Sequence, residues 1–245
     1  MSLLELALVA VAGFAAGLVG FVTGLASIVS YPALLAVGIP PVAANVTNTV
    51  AMVAAGAGSV TNSASALAKD RRALVPQAAI CVAGGAVGAA ILLAAPAASF
   101  AAVVPVLIVI ASVALLLQPR LREHAGDRTF PVLYPIGLFL VSVYGGYFGA
   151  GAGVMVLALN LICTSQSFWR ASILKSFLLG LANLVAAIGF AFFGPVHWIA
   201  GLVMGVGAFA GGWCGPPVVR RVDQRYLRIA VALCGFGLAA WLAIR

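Results

Sequence analysis

Charged residues are rare in this chain. They make up 7% of its 245 residues, whereas a soluble domain carries about 25%. Hydrophobic residues make up 64%, and stretches such as 6–68 and 176–219 contain no Asp, Glu, Lys or Arg. Because about 20 apolar residues suffice to cross a bilayer, these stretches exclude a soluble domain. They indicate an all-α polytopic membrane protein with the lipid bilayer as its main surroundings.

Acidic residues are absent from the interior of the apolar segments. Glu5 lies near the start of the first one, and Asp70, Glu123, Asp127 and Asp223 lie between segments. A carboxylate inside the membrane typically marks a proton relay or a cation pathway, so its absence disfavours a cationic substrate. The 13 basic residues lie mainly in short loops, a distribution that indicates membrane orientation rather than nucleic-acid binding. A small anionic substrate is favoured.

Cysteine and histidine are also scarce, with four and two copies respectively. The cysteines lie inside apolar segments without the spacing of metal ligands. Neither they nor the acidic residues form a group that could perform catalysis. We therefore expect no enzymatic activity, no bound metal and no cofactor.

Proline, glycine and polar residues divide the chain into apolar segments. Two of them, 25–38 and 151–164, are short, because a helix of 14 residues covers only about 21 Å of a hydrocarbon core about 30 Å thick. The others have the length of full spans. The ten predicted segments are 3–20, 25–38, 43–67, 73–95, 98–118, 131–148, 151–164, 171–193, 196–215 and 226–244.

The basic residues indicate whether the short segments cross. If both cross, the loops 68–72, 119–130, 165–170 and 216–225 share one face, and every basic residue except Arg245 lies on or next to it. If neither crosses, the basic residues divide seven against six. The positive-inside rule favours the first arrangement. We expect a multi-pass protein of a bacterial inner (plasma) membrane, with both termini outside and the charged loops in the cytoplasm.

The order of segment lengths repeats in the two halves of the chain. Residues 1–118 and 131–245 each contain one full, one short and three full segments, and a cytoplasmic linker at 119–130 joins them. An odd number of elements inverts the second half relative to the first. The sequence therefore predicts two inverted-topology repeats, each with four full spans and one short broken or re-entrant helix, or about 8–10 transmembrane helices. Such repeats typically hold a substrate near the membrane midplane, at their interface.

Glycines interrupt each half just before its short segment, in "GFVTGLAS" (20–27) and "GYFGAGAGVMV" (146–156). Broken backbone at membrane depth is tolerated only inside protein or beside a polar cavity. The start of each short helix also offers free N–H groups and a partial positive charge, which suit an anion. From these breaks we assign to the substrate site Thr23, Gly149, Gly151 and Gly153.

Polar side chains lie in the short and flanking segments. Lys175 places a charge inside the eighth segment, which marks a pathway or binding site, although a long side chain can instead extend to the interface. Aligning Ala44 with Ala171 places Asn48 opposite Lys175 in the two repeats. For Asn48 and Thr47 the alternative is hydrogen bonding between helices. The predicted substrate-binding side chains are Lys175, Asn48, Thr47, Ser27, Ser30, Ser172, Ser176 and Asn183.

Two regions, 20–48 and 144–186, resemble the signature regions of the TauE/SafE family, also called the 4-toluene sulfonate uptake permease family. In that family a glycine-rich break leads to a short apolar helix and a segment with a proline pair, and the second copy carries an Arg-Ala pair followed by Lys and Asn. The matching positions here are Pro40, Pro41, Ala44, Thr47, Asn48, Arg170, Ala171, Lys175 and Asn183.

The resemblance implies a transporter, often an exporter, of sulfite, sulfonates or related sulfur-containing organic anions. Residues 26–30 read Ala-Ser-Ile-Val-Ser where several glycines are common in the family, which adds hydroxyl groups to the predicted site. We expect export by alternating access, with the site between the repeats. An anion channel or facilitator of the same architecture, a carrier of small carboxylates without sulfur, and a homo-oligomer are left open.

Overall fold

A computed structural model describes residues 1–68, 71–125, 130–164, 166–219 and 233. The described residues form α-helices and no strand, which confirms the all-α polytopic class. The predicted segment 226–244 lies outside the described residues apart from 233, as do parts of the charged loops, at 69–70, 126–129, 165 and 220–225. The helices are α1 (Leu3–Thr23), α2 (Ala26–Ala36), α3 (Pro41–Ala68), α4 (Arg71–Ala94), α5 (Ala97–Ala125), α6 (Leu133–Tyr147), α7 (Ala152–Cys163), α8 (Phe168–Phe193) and α9 (Trp198–Val219).

Among the described helices, five are long and apolar enough to cross a membrane: α1, α3, α4, α8 and α9. The helices α2 and α7 contain only 11 and 12 residues. At 1.5 Å per residue each is about 17 Å long, roughly half the thickness of the hydrocarbon core. The prediction of a short element at these two places is therefore confirmed.

Two elements differ in length from the prediction. The helix α6 has 15 residues and is shorter than the predicted full span 131–148, because the chain forms a turn before Tyr134, whose N–H bonds the Phe130 carbonyl. The helix α5 continues to Ala125, so the first part of the predicted linker 119–130 is helical. Leu, Arg, Glu and Ala at 121–125 favour helix, and the next glycine comes only at 126.

The helices pair in a pattern that relates the two halves. In the described part of the chain α1 packs along α9, α4 packs along α6, and α3 crosses α8. Suppose that α1, α3 and α4 of the first half correspond to α6, α8 and α9 of the second half. The α1–α9 pair then corresponds to the α6–α4 pair, and the α3–α8 pair corresponds to itself. At that crossing a Cβ added to Gly56 would lie 3.0 Å from the Cα of Gly180. This pairing relates the two halves by an exchange of equivalent helices; their inverted topology and their boundaries at 118 and 131 stay a prediction.

Candidate substrate-binding site at the two helix breaks

Glycines in left-handed backbone separate α1 from α2 and α6 from α7. The φ angle is 87° at Gly24, 79° at Gly149 and 82° at Gly151, and this conformation costs other residues about 1–2 kcal/mol. Beyond Gly24, the N–H of Leu25 bonds the Thr23 hydroxyl at 3.2 Å and does not continue α1. The predicted breaks are therefore present, and they determine where α2 and α7 begin.

The two breaks touch each other at Gly24 and Gly153. A Cβ added to Gly24 would lie 2.3 Å from the carbonyl carbon of Gly153, and a Cβ added to Gly153 would lie 2.5 Å from the Cα of Gly24. Any side chain at either position would overlap the opposite backbone. The starts of α2 and α7 therefore meet at the junction of the two halves.

A cavity of about 80 Å³ lies beside this contact. That volume holds several water molecules or one small ion. Both halves of the chain line it, which is the location expected for a site between repeats. The predicted site residues in its lining are Ser27, Gly149, Gly153, Lys175, Ser176 and Asn183.

Lys175 is buried in the cavity wall, with 1% of its side chain exposed. Its Nζ donates to the carbonyls of Gly20 at 2.8 Å and Phe21 at 2.6 Å, and it lies 5.5 Å from the centre of the Phe21 ring. The alternative that Lys175 extends to the membrane interface is therefore wrong. Instead the ammonium lies at the C-terminal end of α1, whose partial negative charge stabilises it.

The Lys175 ammonium has a further donor to offer. It carries three N–H bonds, and the α1 carbonyls take two of them. The third has no hydrogen-bond partner among the described residues, and Lys175 lines the cavity. None of the described residues that line the cavity is Asp or Glu, so carbonyl dipoles and the Phe21 ring, rather than a carboxylate, face the charge of Lys175. The cavity is therefore electrostatically suited to an anion.

Asn48 lies behind the cavity wall rather than in it. Its side chain is 2% exposed; Nδ2 donates to the Ser27 hydroxyl at 3.0 Å, and Oδ1 accepts from the Ser30 hydroxyl at 2.5 Å. Ser27 lines the cavity, and its hydroxyl donates to no described residue, so its O–H is left for a bound acceptor. Asn48, which also bonds Ser30, holds this hydroxyl in place.

The remaining predicted residues lie outside the cavity lining. Thr47 accepts the backbone N–H of His197, the residue before α9, at 2.9 Å, so its hydroxyl links α3 to the start of α9. Thr23 and Ser172 donate to carbonyls within their own helices, and Gly151 is the N-cap of α7. Direct contact of these residues with substrate stays a prediction.

Sequence reasoning missed the carbonyls of Gly20 and Phe21 and did not assign Ser59 to the site. The backbone groups leave no side-chain signal. Ser59 lines the cavity with Met52 and Gly56, at a spacing that puts them on one face of α3, and this spacing was the available signal. Its hydroxyl donates toward the carbonyls of Ala55 at 2.9 Å and Gly212 at 3.2 Å, so it presents mainly an acceptor.

Apolar clusters lie on both sides of the cavity along α3. Beside the start of α3, the ring of Phe148 packs against Tyr31 and Phe100, each at 5.7 Å between ring centres. Beside its other end, Phe21 and Val22 belong to a cluster with Leu67, Leu74, Ile173 and Leu174. The cavity-lining residues of α3, 52–59, lie between the two clusters.

Comparison with known proteins agrees with this architecture. The family model described as sulfite exporter TauE/SafE matches residues 9–242. The chain belongs to the TauE/SafE family. The resemblance found in the sequence is thereby confirmed, and the chain is a multi-pass membrane transporter. No solved structure matches it.

Curated relatives of this TauE/SafE chain are named as transporters. A probable membrane transporter protein, ORF9, of Sinorhizobium sp is 27% identical over 237 residues, covering 96% of this chain and 90% of its own length. The probable membrane transporter protein YfcA of Escherichia coli K12 is 28% identical, covering 94% and 87%. An Arabidopsis thaliana protein named sulfite exporter TauE/SafE family protein 2 is 27% identical, covering 51% and 27%.

The hydrogen bond from Asn48 to Ser27 leads to a prediction. Ser27→Ala is expected to weaken anion binding about 2- to 10-fold, because one neutral hydrogen bond contributes roughly 0.5–1.5 kcal/mol. Asn48→Ala is expected to act through Ser27, so adding it to Ser27→Ala should weaken binding little further. Dissociation constants of the single and double variants check this. Thr61→Ala is the control, because its hydroxyl is exposed and bonds within α3; full additivity would contradict the supporting role of Asn48.

Proposed function

We propose that this transporter carries a small sulfur-containing oxyanion, such as sulfite or a compact sulfonate, out of the cell. The observation that supports this most strongly is the buried Lys175 ammonium in the wall of a cavity that no described acidic residue lines. An uncompensated buried cation is costly, and a bound anion would supply the missing charge.

The donors beside the cavity match an oxyanion. Lys175 and Ser27 offer N–H and O–H groups from opposite halves of the chain, and the Asn183 amide lines the same space. The Ser176 hydroxyl also lines it but donates to the Ser172 carbonyl at 3.0 Å. Sulfite and sulfonates carry three oxygen acceptors that diverge from one sulfur, so donors on several sides can bind one ion. A carboxylate presents two oxygens in one plane and would leave one of these sides without an acceptor.

The size of the cavity favours compact anions. Its volume is about 80 Å³, and glycine backbone forms much of its wall, at positions 17, 20, 24, 56, 149, 153 and 180. At Gly56 and Gly180 the crossing helices are in close contact, so the wall cannot easily retreat. We therefore favour sulfite and alkyl sulfonates of one or two carbons over aryl sulfonates.

Alternating access follows from the two breaks and the two apolar clusters. Tilting of α2 at the left-handed Gly24 would separate Tyr31 from Phe148 and open the first cluster while the second stays closed. In inverted repeats the same local motion exposes opposite sides of the membrane. The proposed export direction rests on the family, described as sulfite exporters, and on the Arabidopsis relative, which is named a sulfite exporter family protein.

An anion screen on the purified protein tests this proposal. A ligand that binds only the folded protein stabilises it by RT ln(1 + [L]/Kd), or about 2.7 kcal/mol at a hundredfold excess over Kd. We expect sulfite and methanesulfonate to raise the melting temperature, and acetate and 4-toluenesulfonate to raise it less. Stabilisation by acetate equal to or above that by sulfite would contradict the sulfur-anion assignment.

A further inference from the structure

The C-terminal ends of α1 and α6 occupy equivalent positions but bind different partners. Gly24 and Gly149 are the first left-handed residues after the two helices. Aligning them pairs Gly20 with Gly145, and Phe21 with Gly146. The carbonyls of Gly20 and Phe21 bind the Lys175 ammonium, so a cation neutralises the end of α1.

The corresponding carbonyls of α6 have no such partner from the chain that follows. The N–H groups of Phe148 and Gly149 both bond the Tyr144 carbonyl, at 2.9 and 3.2 Å. No residue described after α6 donates a backbone hydrogen bond to the carbonyls of Gly145 or Gly146. These groups carry the partial negative charge of a helix C-terminus.

The side chain of Asn45 adds an amide oxygen to the carbonyl acceptors at this end of α6. Its side chain is 1% exposed, and its Nδ2 donates to the Tyr147 carbonyl at 3.0 Å. Its Oδ1 is buried and has no hydrogen-bond partner among the described residues. Rotating the amide by 180° cannot help, because a carbonyl accepts and cannot donate. An unpartnered buried acceptor is destabilising and calls for a cation or a donor.

We propose that Asn45 Oδ1 and the C-terminal carbonyls of α6 form a binding site for a sodium ion, at the helix end that corresponds to the end of α1 bound by Lys175. Carbonyl oxygens of interrupted membrane helices are suitable sodium ligands. All these ligands are neutral, and a divalent ion would require carboxylates. The chain would thus neutralise one helix end with its own lysine and the other with an ion from solution.

Sodium at this site would be linked to the anion cavity through the α6–α7 break. Gly149 follows α6 directly and also lines the cavity. This link to transport rests on the proposed function, but sodium binding itself does not, so the two can fail separately.

The test is the melting temperature of the full-length protein in NaCl, KCl or choline chloride at equal ionic strength, without any sulfur anion. We expect NaCl to raise it saturably above choline chloride, with KCl weaker. Asn45→Ala should abolish this difference. Ser63→Ala is the matched control, because Ser63 is also buried on α3 with an unpartnered hydroxyl, and it should keep the full sodium response.

Asn45→Asp covers the case in which Asn45→Ala does not fold. The added negative charge should shift the half-maximal sodium concentration at least severalfold lower than in the wild type. The proposal is overturned if the wild type responds equally to NaCl and choline chloride, if Asn45→Ala keeps the wild-type response, or if Asn45→Asp leaves the half-maximal concentration unchanged.

Discussion

Lys175→Gln is expected to lower the affinity for the transported anion by about 10- to 150-fold. The substitution removes a charge-assisted hydrogen bond, which contributes roughly 1.5–3 kcal/mol, and every 1.4 kcal/mol is a tenfold change in affinity. Because the side chain is buried in the cavity wall, solvent cannot supply a replacement charge. The dissociation constant for sulfite, from titration of the purified variant, checks this prediction.

The controls for Lys175 separate binding from folding. Lys175 also bonds the carbonyls at the end of α1, so Lys175→Gln can destabilise the protein, and size-exclusion chromatography must show the same monodisperse peak as the wild type. Arg72→Gln removes a cation from an exposed position at the start of α4 and should leave affinity unchanged. If Lys175→Gln is folded and binds sulfite as the wild type does, the assignment of the site to this cavity is wrong.

Gly24→Ala is expected to cause the largest loss of stability among single substitutions in the breaks. Its φ of 87° costs an alanine about 1–2 kcal/mol. Its Cβ would also lie 2.3 Å from the Gly153 carbonyl carbon, and such overpacking costs typically 1–3 kcal/mol more. Against a total stability of about 5–15 kcal/mol, we expect a sharply reduced yield of folded protein and a lower melting temperature.

Gly38→Ala is the matched control for Gly24→Ala. Gly38 has a nearly identical φ of 83°, but no atom lies within 4 Å of an added Cβ. It should lose only the conformational part of the stability and keep anion binding. Equal losses for the two variants would show that the contact between the breaks contributes nothing.

The sequence predicts the features that unusual residues mark. The breaks at 20–27 and 146–156 were found because glycine is costly inside a membrane helix, and Lys175 was found because a buried charge is rare. Ser27 followed from its place at the start of a short helix. Broken backbone and a buried charge both need polar surroundings inside a membrane protein. These residues therefore line the cavity.

Other parts of the site depend on which way each helix face turns, which spacing alone does not determine. Asn48 and Ser27 were predicted alike, yet one supports the other from behind the wall. The partners of Lys175 are backbone carbonyls, which every residue possesses, so no pattern singles out Gly20 and Phe21. The length of α6 was overestimated because its apolar pattern continues into the turn at 130–132.

Counterflow of radiolabelled sulfite in proteoliposomes tests the central claim most directly. If the anion crosses by alternating access through the cavity beside Lys175, excess unlabelled sulfite inside the vesicles should drive transient accumulation of external label. Vesicles with Lys175→Gln should show much less accumulation at the same sulfite concentration, and vesicles without protein should show none. Equilibration without accumulation would indicate a channel, and accumulation undiminished in Lys175→Gln would contradict transport through this cavity.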